Sequence, residues 1–354
     1  MALKSAPTMK NVAEAARVSK STVSHVINGT RFVDEETKRR VQRAIDELGY
    51  LPNAAARSLT TKRSQTLGVI VGDVANHFFS ELLQGVEETV RSEKYSLIVC
   101  NTGETLELED HYIQLLLSHK VDGIIAMATS EQWMSVREAQ VQHLPIVFVD
   151  RAFAGLEGER FVGVDNVRGA YLAAEHLIEL GHRKIGTLAG AQGLSTMRDR
   201  LRGFRQAMDD HGLEVPAEWI VPSALSAEAG HAAANQILAT RERPTALFIA
   251  NNYLTLGTLH ALKDNGLRCP EDLSIVGFDD HPWAAVTEPP LTVVRQPAMR
   301  IGATAGQMIL DSIHGREHEP RQVVLECELV TRQSCRVVHD GTFSATKAVR
   351  PMSP

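Results

Sequence analysis

Apolar residues at the start of the chain recur with helical spacing. Val12, Ala13 and Ala16 fall at i, i+1 and i+4, which predicts a short helix opening at Met9 with Thr8 as its N-cap. Val18 follows at a break. Ser19 is a second N-cap candidate, and Val23, Val26 and Ile27 form the inward face of a second helix that Asn28-Gly29 ends. A third helix is expected after Asp34, running to about Leu48, on the stripe Val41, Ala44, Ile45 and Leu48, with Gly49 closing it.

After Ser64 the pattern changes to short apolar runs separated by amphipathic stretches. The runs Thr66–Val71, Ser96–Cys100, Gly123–Met127, Ile146–Val149, Phe161–Val164, Lys184–Leu188, Ala246–Ile249, Leu273–Gly277 and Leu291–Val294 predict buried parallel strands. Helices are expected at Phe78–Ser92, Asp110–His119, Val167–Leu180, Met197–His211, Ala227–Ala239, Leu254–Asn265 and Ala298–His314. This alternation gives doubly wound sheets, and about ten strands suit two open sheets better than one. The expected first lobe is 64–163 plus about 295–322, and the second is 164–290 plus about 323–339, where Val323–Val330 reads as a strand. Residues 340–354 read as a polar, disordered tail that lacks a leucine heptad.

Two short helices about three residues apart, with a third to complete a small core, make a helix-turn-helix unit over residues 8–52. With Val23, Val26 and Ile27 inward, the second helix presents Lys20, Ser21, Ser24 and His25, groups suited to base edges and phosphates. Residues 53–63 are small, polar and basic, a weak helix in isolation and a segment suited to folding on docking. Leu59 is its one large apolar residue, either a core residue of the next domain or a wedge for a minor-groove base step.

Charge sharpens this division. Residues 1–63 carry twelve Lys and Arg against six Asp and Glu, a net of +6, which leaves −12 on the remainder of a chain whose total is −6. A basic head on an acidic body implies that the head alone meets a polyanion. No apolar stretch is long enough to span a bilayer, and the first ten residues hold no signal-type apolar segment. Cys100, Cys269, Cys327 and Cys335 are scattered and fit reduced thiols in a cytoplasmic protein.

Enzyme signatures are missing. There is no HExxH and no GxSxG, His176 and His182 are six apart, and the glycine-rich Gly186–Gly193 is neither a P-loop nor a full dinucleotide fingerprint. No catalytic residue, metal site or cofactor is expected. Ligands of doubly wound folds sit beyond the carboxyl ends of the strands. There the sequence puts Asp73, Asn76, Phe78 and Phe79, then Asp150-Arg151, then Arg198 and Arg200 in a loop before a helix. The later strand ends bring Asn251-Asn252, then Phe278-Asp279-Asp280, then Gln296. Carboxylates, guanidinium forks, amides and aromatic faces suit a polar small molecule. Each also has a structural reading: Asn76 or Asn166 as helix caps, Asp279-Asp280 as loop stabilisers, Phe78 and Phe79 as core. Six strand ends with polar groups together favour a ligand cleft.

The segments Thr22-Val-Ser-His-Val-Ile-Asn28, Arg31-Phe-Val33, Leu48-Gly-Tyr-Leu-Pro-Asn53 and Ala55-Ala-Arg-Ser-Leu59 resemble the headpiece and hinge of the lactose-repressor family, in wording nearest its purine- and ribose-repressor members. The likeness continues to about residue 335 through Asn76-His-Phe-Phe79, Val149-Asp-Arg151, Gly181-His-Arg-Lys-Ile185, Arg200-Leu-Arg-Gly-Phe204 and Val276-Gly-Phe-Asp279, which resemble an effector domain of periplasmic-binding-protein type. The resemblance implies a ligand-responsive repressor that binds a palindromic double-stranded DNA operator as a homodimer. It implies base contacts for Lys20, Ser21 and His25, phosphate contacts for Thr22, Ser24 and Asn28, and intercalation by Leu59. For the cleft it implies that Asn76, Phe78, Phe79, Asp150, Arg151, Arg200, Asn251, Asp279 and Gln296 hold a pentose or related sugar. Three positions depart from the pattern: Arg17 stands where the turn usually has Gly, Leu225 where the second lobe usually has an aromatic, and Asn252 where an Asp is usual. A periplasmic-type transport protein is the alternative for the body alone, and it leaves the basic head unexplained.

Overall fold

The computed structural model describes residues 7–29, 31–50, 63–129, 144–153, 158–316 and 319–338. The chain forms two compact units, residues 1–65 and 66–354. Most of the hinge segment 53–63, Leu59 included, and the tail 340–354 lie outside the described residues, so those expectations are untouched.

The first unit holds α1 (Met9–Ala16), α2 (Lys20–Asn28) and α3 (Glu35–Leu48). Each begins at the cap the sequence offers. Thr8 and Asn11 form a reciprocal capping box, the Ser19 hydroxyl accepts from the Thr22 amide at 3.1 Å, and the Asp34 carboxylate accepts from the Thr37 amide at 2.9 Å. Val12, Ala13, Ala16, Val23, Val41 and Ala44 form the shared core, with Val26, Ile27 and Ile45 at its margin. Leu48, expected in that stripe, is 39% exposed; Tyr50, past the Gly49 cap, is 7% exposed and fills the place. Arg17 closes α1 with φ 53° and ψ 50°, the left-handed conformation for which glycine is suited.

The second unit contains two six-stranded sheets. The first runs β11-β5-β4-β3-β1-β2, from β1 (Thr66–Val71), β2 (Ser96–Asn101), β3 (Gly123–Ala126), β4 (Ile146–Val149), β5 (Arg160–Val164) and β11 (Gln322–Leu325). The second runs β12-β10-β9-β8-β6-β7, from β6 (Ile185–Gly190), β7 (Ile220–Pro222), β8 (Ala246–Ile249), β9 (Ser274–Phe278), β10 (Thr292–Arg295) and β12 (Glu328–Val330). Every neighbouring pair is parallel except β10 with β12. The helices that cover the sheets are α4 (His77–Arg91), α5 (Leu106–Ser118), α6 (Asn166–Glu179), α7 (Ser195–Asp210), α8 (Ala227–Leu238), α9 (Asn252–Asp264) and α10 (Ala298–Ile313).

The expected lobe boundary near 323 is corrected. Val323–Val330 is two strands on different lobes. In β11, Val323 pairs with Val162 and Leu325 with Val164, and both side chains pack on the first core; β12 lies antiparallel to β10. The chain therefore crosses between lobes at Asp165, at 296–297 and at 326–327. The short β7 was not expected. Within the first lobe α4 and α10 press backbone to backbone: a Cβ on Gly302 would meet the Leu82 carbonyl oxygen at 2.0 Å, and one on Gly85 the Met299 carbonyl oxygen at 2.0 Å. No described helix is long and apolar enough to cross a membrane.

Candidate nucleic-acid interface and ligand cleft

In the headpiece, α2 carries Lys20 and Ser21 exposed and Thr22, Ser24 and His25 half-buried. The Ser19 hydroxyl lies 2.7 Å from that of Ser21 and 2.8 Å from that of Thr22. Three hydroxyls thus gather at the positive end of a helix whose first turn has no acidic residue, an arrangement suited to a phosphate oxygen. This ties Ser21, expected to read a base, into the cap. The side chain of Asn28 lies outside what is described. Phe32, just beyond the helix, is 94% exposed.

In the body, the nine residues expected in the cleft line one cavity that opens to solvent, with about 530 Å³ of space between atoms when the solvent at its mouth is included. The first lobe supplies its floor from the ends of β1 and β4. Asn76 caps α4, its Oδ1 accepting from the Phe78 amide at 3.1 Å, and this turn sets Phe78 and Phe79 edge to face at 5.0 Å. Asp150 follows β4 with φ 66°, held by its amide donating to the Val162 carbonyl at 3.0 Å. Asp279 repeats the device in the second lobe: it follows β9 with φ 77°, and its amide donates to the Val294 carbonyl at 2.9 Å. Two carboxylates are thus aimed from equivalent strand ends by left-handed backbone, which Asp tolerates better than most residues.

Each lobe pairs its carboxylate with a guanidinium. Arg151 follows Asp150, with Nε 3.7 Å from the Asp150 carboxylate. Arg200 and Arg198 stand within α7, not in a loop before it. Arg198 turns away to the carbonyls of Gln192 and Gly193, whereas Arg200 is buried. The Arg200 Nε donates to Asn166 Oδ1 at 2.8 Å and its Nη1 to the Ala250 carbonyl at 2.7 Å; the guanidinium lies 3.6 Å from the centre of the Phe278 ring and 4.0 Å from Asp279. Asn166 is therefore a support for Arg200, and Asp165 is the residue that caps α6. Burial raises the Asp150 carboxyl above its usual range, against the pull of Arg151 and Arg200. Burial likewise lowers Arg200, opposed by Asp279 and Asp150. Gln296, in the second crossing, donates to Asp279 at 2.6 Å, leaving its buried Oε1 an acceptor with no donor.

Six more residues line the cavity: Asp73, Glu104, Thr196, Met197, Leu225 and Tyr253. Asp73 is among the strand-end groups expected near the ligand, and Leu225 is the position where an aromatic is usual. Glu104 gave no signal, because it follows the edge strand β2 and reaches the cleft only through a turn in which Gly103 (φ 56°) and Glu104 itself (φ 62°) are left-handed. Tyr253 lies just beyond the Asn251-Asn252 pair that marked the end of β8. Its hydroxyl donates to Asp73 Oδ2 across the cleft at 2.6 Å, and burial with this bond pushes the phenol up to about 12. Asn252, the departure from the expected pattern, donates to Asn76 Oδ1 at 3.0 Å. Two side chains of one loop in the first lobe thus clasp two from the start of one helix in the second. Among the described residues no group of His, Cys, Asp and Glu is arranged to hold a metal ion.

Residues 8–53 match the model of the bacterial regulatory proteins of the lacI family, and residues 174–335 match the periplasmic binding protein-like domain. The chain is 39% identical over 331 residues to the HTH-type transcriptional repressor PurR of Aliivibrio fischeri, an alignment covering 92% of this chain and 98% of the relative. The crystal structure of the lac repressor dimer bound to operator and the anti-inducer ONPF superposes with a TM-score of 0.84 at 29% identity, over 93% of this chain and 99% of that one. A LacI family regulator from Enterococcus faecium with bound ribose superposes with a TM-score of 0.70 at 28% identity, over 77% of this chain and all (100%) of that one. Capped headpiece, paired sheets and an alignment to a repressor over nearly the whole chain agree: the chain belongs to the lacI family of DNA-binding bacterial transcriptional regulators.

Proposed function

We propose that this regulator is a repressor that binds a pseudo-palindromic operator as a homodimer and answers to a small polyhydroxyl effector, a pentose or a related sugar. Two headpieces are needed for two half-sites, which favours the dimer. Lys20, Ser21 and His25 are the proposed base readers. Thr22, Ser24 and Asn28 are the proposed phosphate contacts, and Leu59 the minor-groove wedge.

One observation carries the effector reading: the Asp150-Arg151 pair of one lobe and the Arg200-Asp279 pair of the other line one cavity together with Phe78 and Phe79. Vicinal hydroxyls present a donor and an acceptor on each carbon, and carboxylate-guanidinium pairs complement both. The unpartnered Gln296 Oε1 offers one more acceptor to a hydroxyl. The CH faces of a sugar ring suit the aromatic platform. An effector touching both lobes adds its contacts to the cross-cleft bonds of the Asn76–Asn252 and Asp73–Tyr253 pairs and favours the closed arrangement. That changes DNA affinity only so far as the two arrangements differ in affinity for the effector.

Calorimetric titration of the purified protein with D-ribose, other pentoses and purine bases tests the ligand class. Heat with a pentose and a shifted operator gel in its presence are expected. No heat with any pentose removes the reading, and heat with purines alone replaces it.

A further inference from the structure

We propose that Glu104 is a specificity residue of the cleft, neutralising Arg151 so that phosphorylated and other anionic molecules are kept out and the site is reserved for uncharged ones. The inference rests on reading the cleft as the effector site.

Four carboxylates line the cavity, Asp73, Glu104, Asp150 and Asp279, against two guanidiniums, Arg151 and Arg200. Each cation is matched by carboxylates. Both Nη atoms of Arg151 donate to Glu104, at 2.5 and 2.8 Å, a fork matched to a carboxylate. Arg151 is buried, Glu104 takes both of its Nη atoms, and its remaining Nε lies 3.7 Å from the Asp150 carboxylate, so a carboxylate faces the guanidinium on either edge. Arg200 stands between Asp150 and Asp279, its Nε and Nη1 already donating within the protein. The nearby Asp280 pairs with Arg295 and Arg332, and Arg295 also pairs with Glu328, so this neighbouring cluster holds two carboxylates for two guanidiniums and adds no positive excess.

The backbone is built to put Glu104 there. A left-handed glycine followed by a left-handed glutamate is a strained turn, costing on the order of 1 kcal/mol or more at the non-glycine residue. Across from it Gly72 leaves the space the carboxylate occupies: a Cβ on Gly72 would lie 2.3 Å from Glu104 Oε1. A carboxylate reaching only into solvent would not need the space left at Gly72.

Two of the helix starts at the cleft also withhold their amides. Phe78 N–H is taken by Asn76, and Tyr253 N–H by Asn251 and Asn252. The start of α7, where Thr196 and Met197 line the cavity, has no side-chain cap, and is where an anion would bind if the charge argument failed.

The test is titration of the full-length protein with D-ribose, its phosphate ester and inorganic phosphate, by calorimetry and phosphorus NMR at fixed ionic strength. The wild type is expected to bind neither phosphate compound detectably. Glu104→Gln, its fold checked by circular dichroism, should gain affinity for inorganic phosphate by about tenfold or more, since one opposing charge is removed beside a guanidinium. Gly72→Ala, which displaces the carboxylate and keeps its charge, should move in the same direction. The added substitution Arg151→Gln should reverse the gain. Wild-type binding of the phosphate ester as tightly as the free sugar overturns the proposal, as does a folded Glu104→Gln protein with unchanged phosphate affinity. If D-ribose gives no heat while phosphate binding still rises in Glu104→Gln, the pentose reading falls and the filter stands.

Discussion

Replacing Arg200 by Met keeps the unbranched stem of the side chain and removes the charged guanidinium. Three things are lost together. Asn166 Oδ1 and the Ala250 carbonyl lose donors at 2.8 and 2.7 Å, and the cation between Asp150 and Asp279 disappears from above the Phe278 ring. Removing one member of a buried charged constellation costs about 3–5 kcal/mol, the two orphaned acceptors included. The Met stem recovers about 1 kcal/mol of packing, so a net loss of about 3 kcal/mol is expected near pH 7. The pH dependence is the sharper part. Burial already raises the Asp150 carboxyl, with Arg151 and Arg200 opposing, and losing Arg200 raises it further. A carboxyl with a raised folded-state pKa holds its proton in the folded state, so stability is regained as pH falls through that value and lost as pH rises through it. Urea unfolding followed by tryptophan fluorescence, to which Trp219 and Trp283 of the second lobe contribute, should therefore show a smaller deficit near pH 5 than near pH 7. A deficit under about 1 kcal/mol near pH 7, or one that grows on acidification, would refute the account of these charges.

Four further outcomes are expected. Tyr253→Phe removes the cross-cleft donor to Asp73, and should weaken effector binding by about 1 kcal/mol while small-angle scattering reports a larger radius of gyration; an unchanged affinity means the bond does not favour closure. Gly302→Ala forces α4 and α10 apart and should cost about 1–3 kcal/mol in urea unfolding, whereas a neutral result would mean the helices shift freely. Arg17→Gly relieves left-handed strain and should slow amide exchange in the headpiece of the full chain, by about 1 kcal/mol in opening free energy. Lys20→Ala should change base preference or reduce the salt slope of operator binding by about one; neither moving would displace the proposed reader face.

The headpiece was legible almost residue by residue because its rules are local. Thr8, Ser19 and Asp34 cap the helices they precede, and Gly29 and Gly49 end two of them. Leu48 was misread because helical periodicity extends one turn beyond where the chain folds back to bring Tyr50 inward. In the body, strand runs were plain where both faces are buried, as in β3, β4 and β8. β7, three residues at a sheet edge, has too little apolar sequence to register. Val323–Val330 read as one strand because nothing local says that residues 326–327 change sheets. The same limit governs the cleft. Asp150, Asp279 and Gln296 sit at strand ends, which the alternation reveals. Glu104 and Tyr253 acquire their partners only through turns and across lobes, and no spacing rule reports that.

The three crossings bear on the order in which the protein can be completed. The face of the first sheet that packs Leu67, Val69 and Val147 is covered by Ile301, Ala305, Met308 and Ile309 of α10, and its edge by β11. A ribosome delivers these only after the whole of 166–295. The second lobe at that point lacks its short edge strand β12 and the segment 331–338 that follows it, while the first lacks the helix that covers a whole sheet face and a strand. Domains usually finish in the order they are synthesised. Here the lobe that begins first is the one that must wait, its apolar sheet face open until the last fifty or so residues emerge. Nascent or truncated chains should therefore draw chaperones to the first lobe, although it is the older part of the chain.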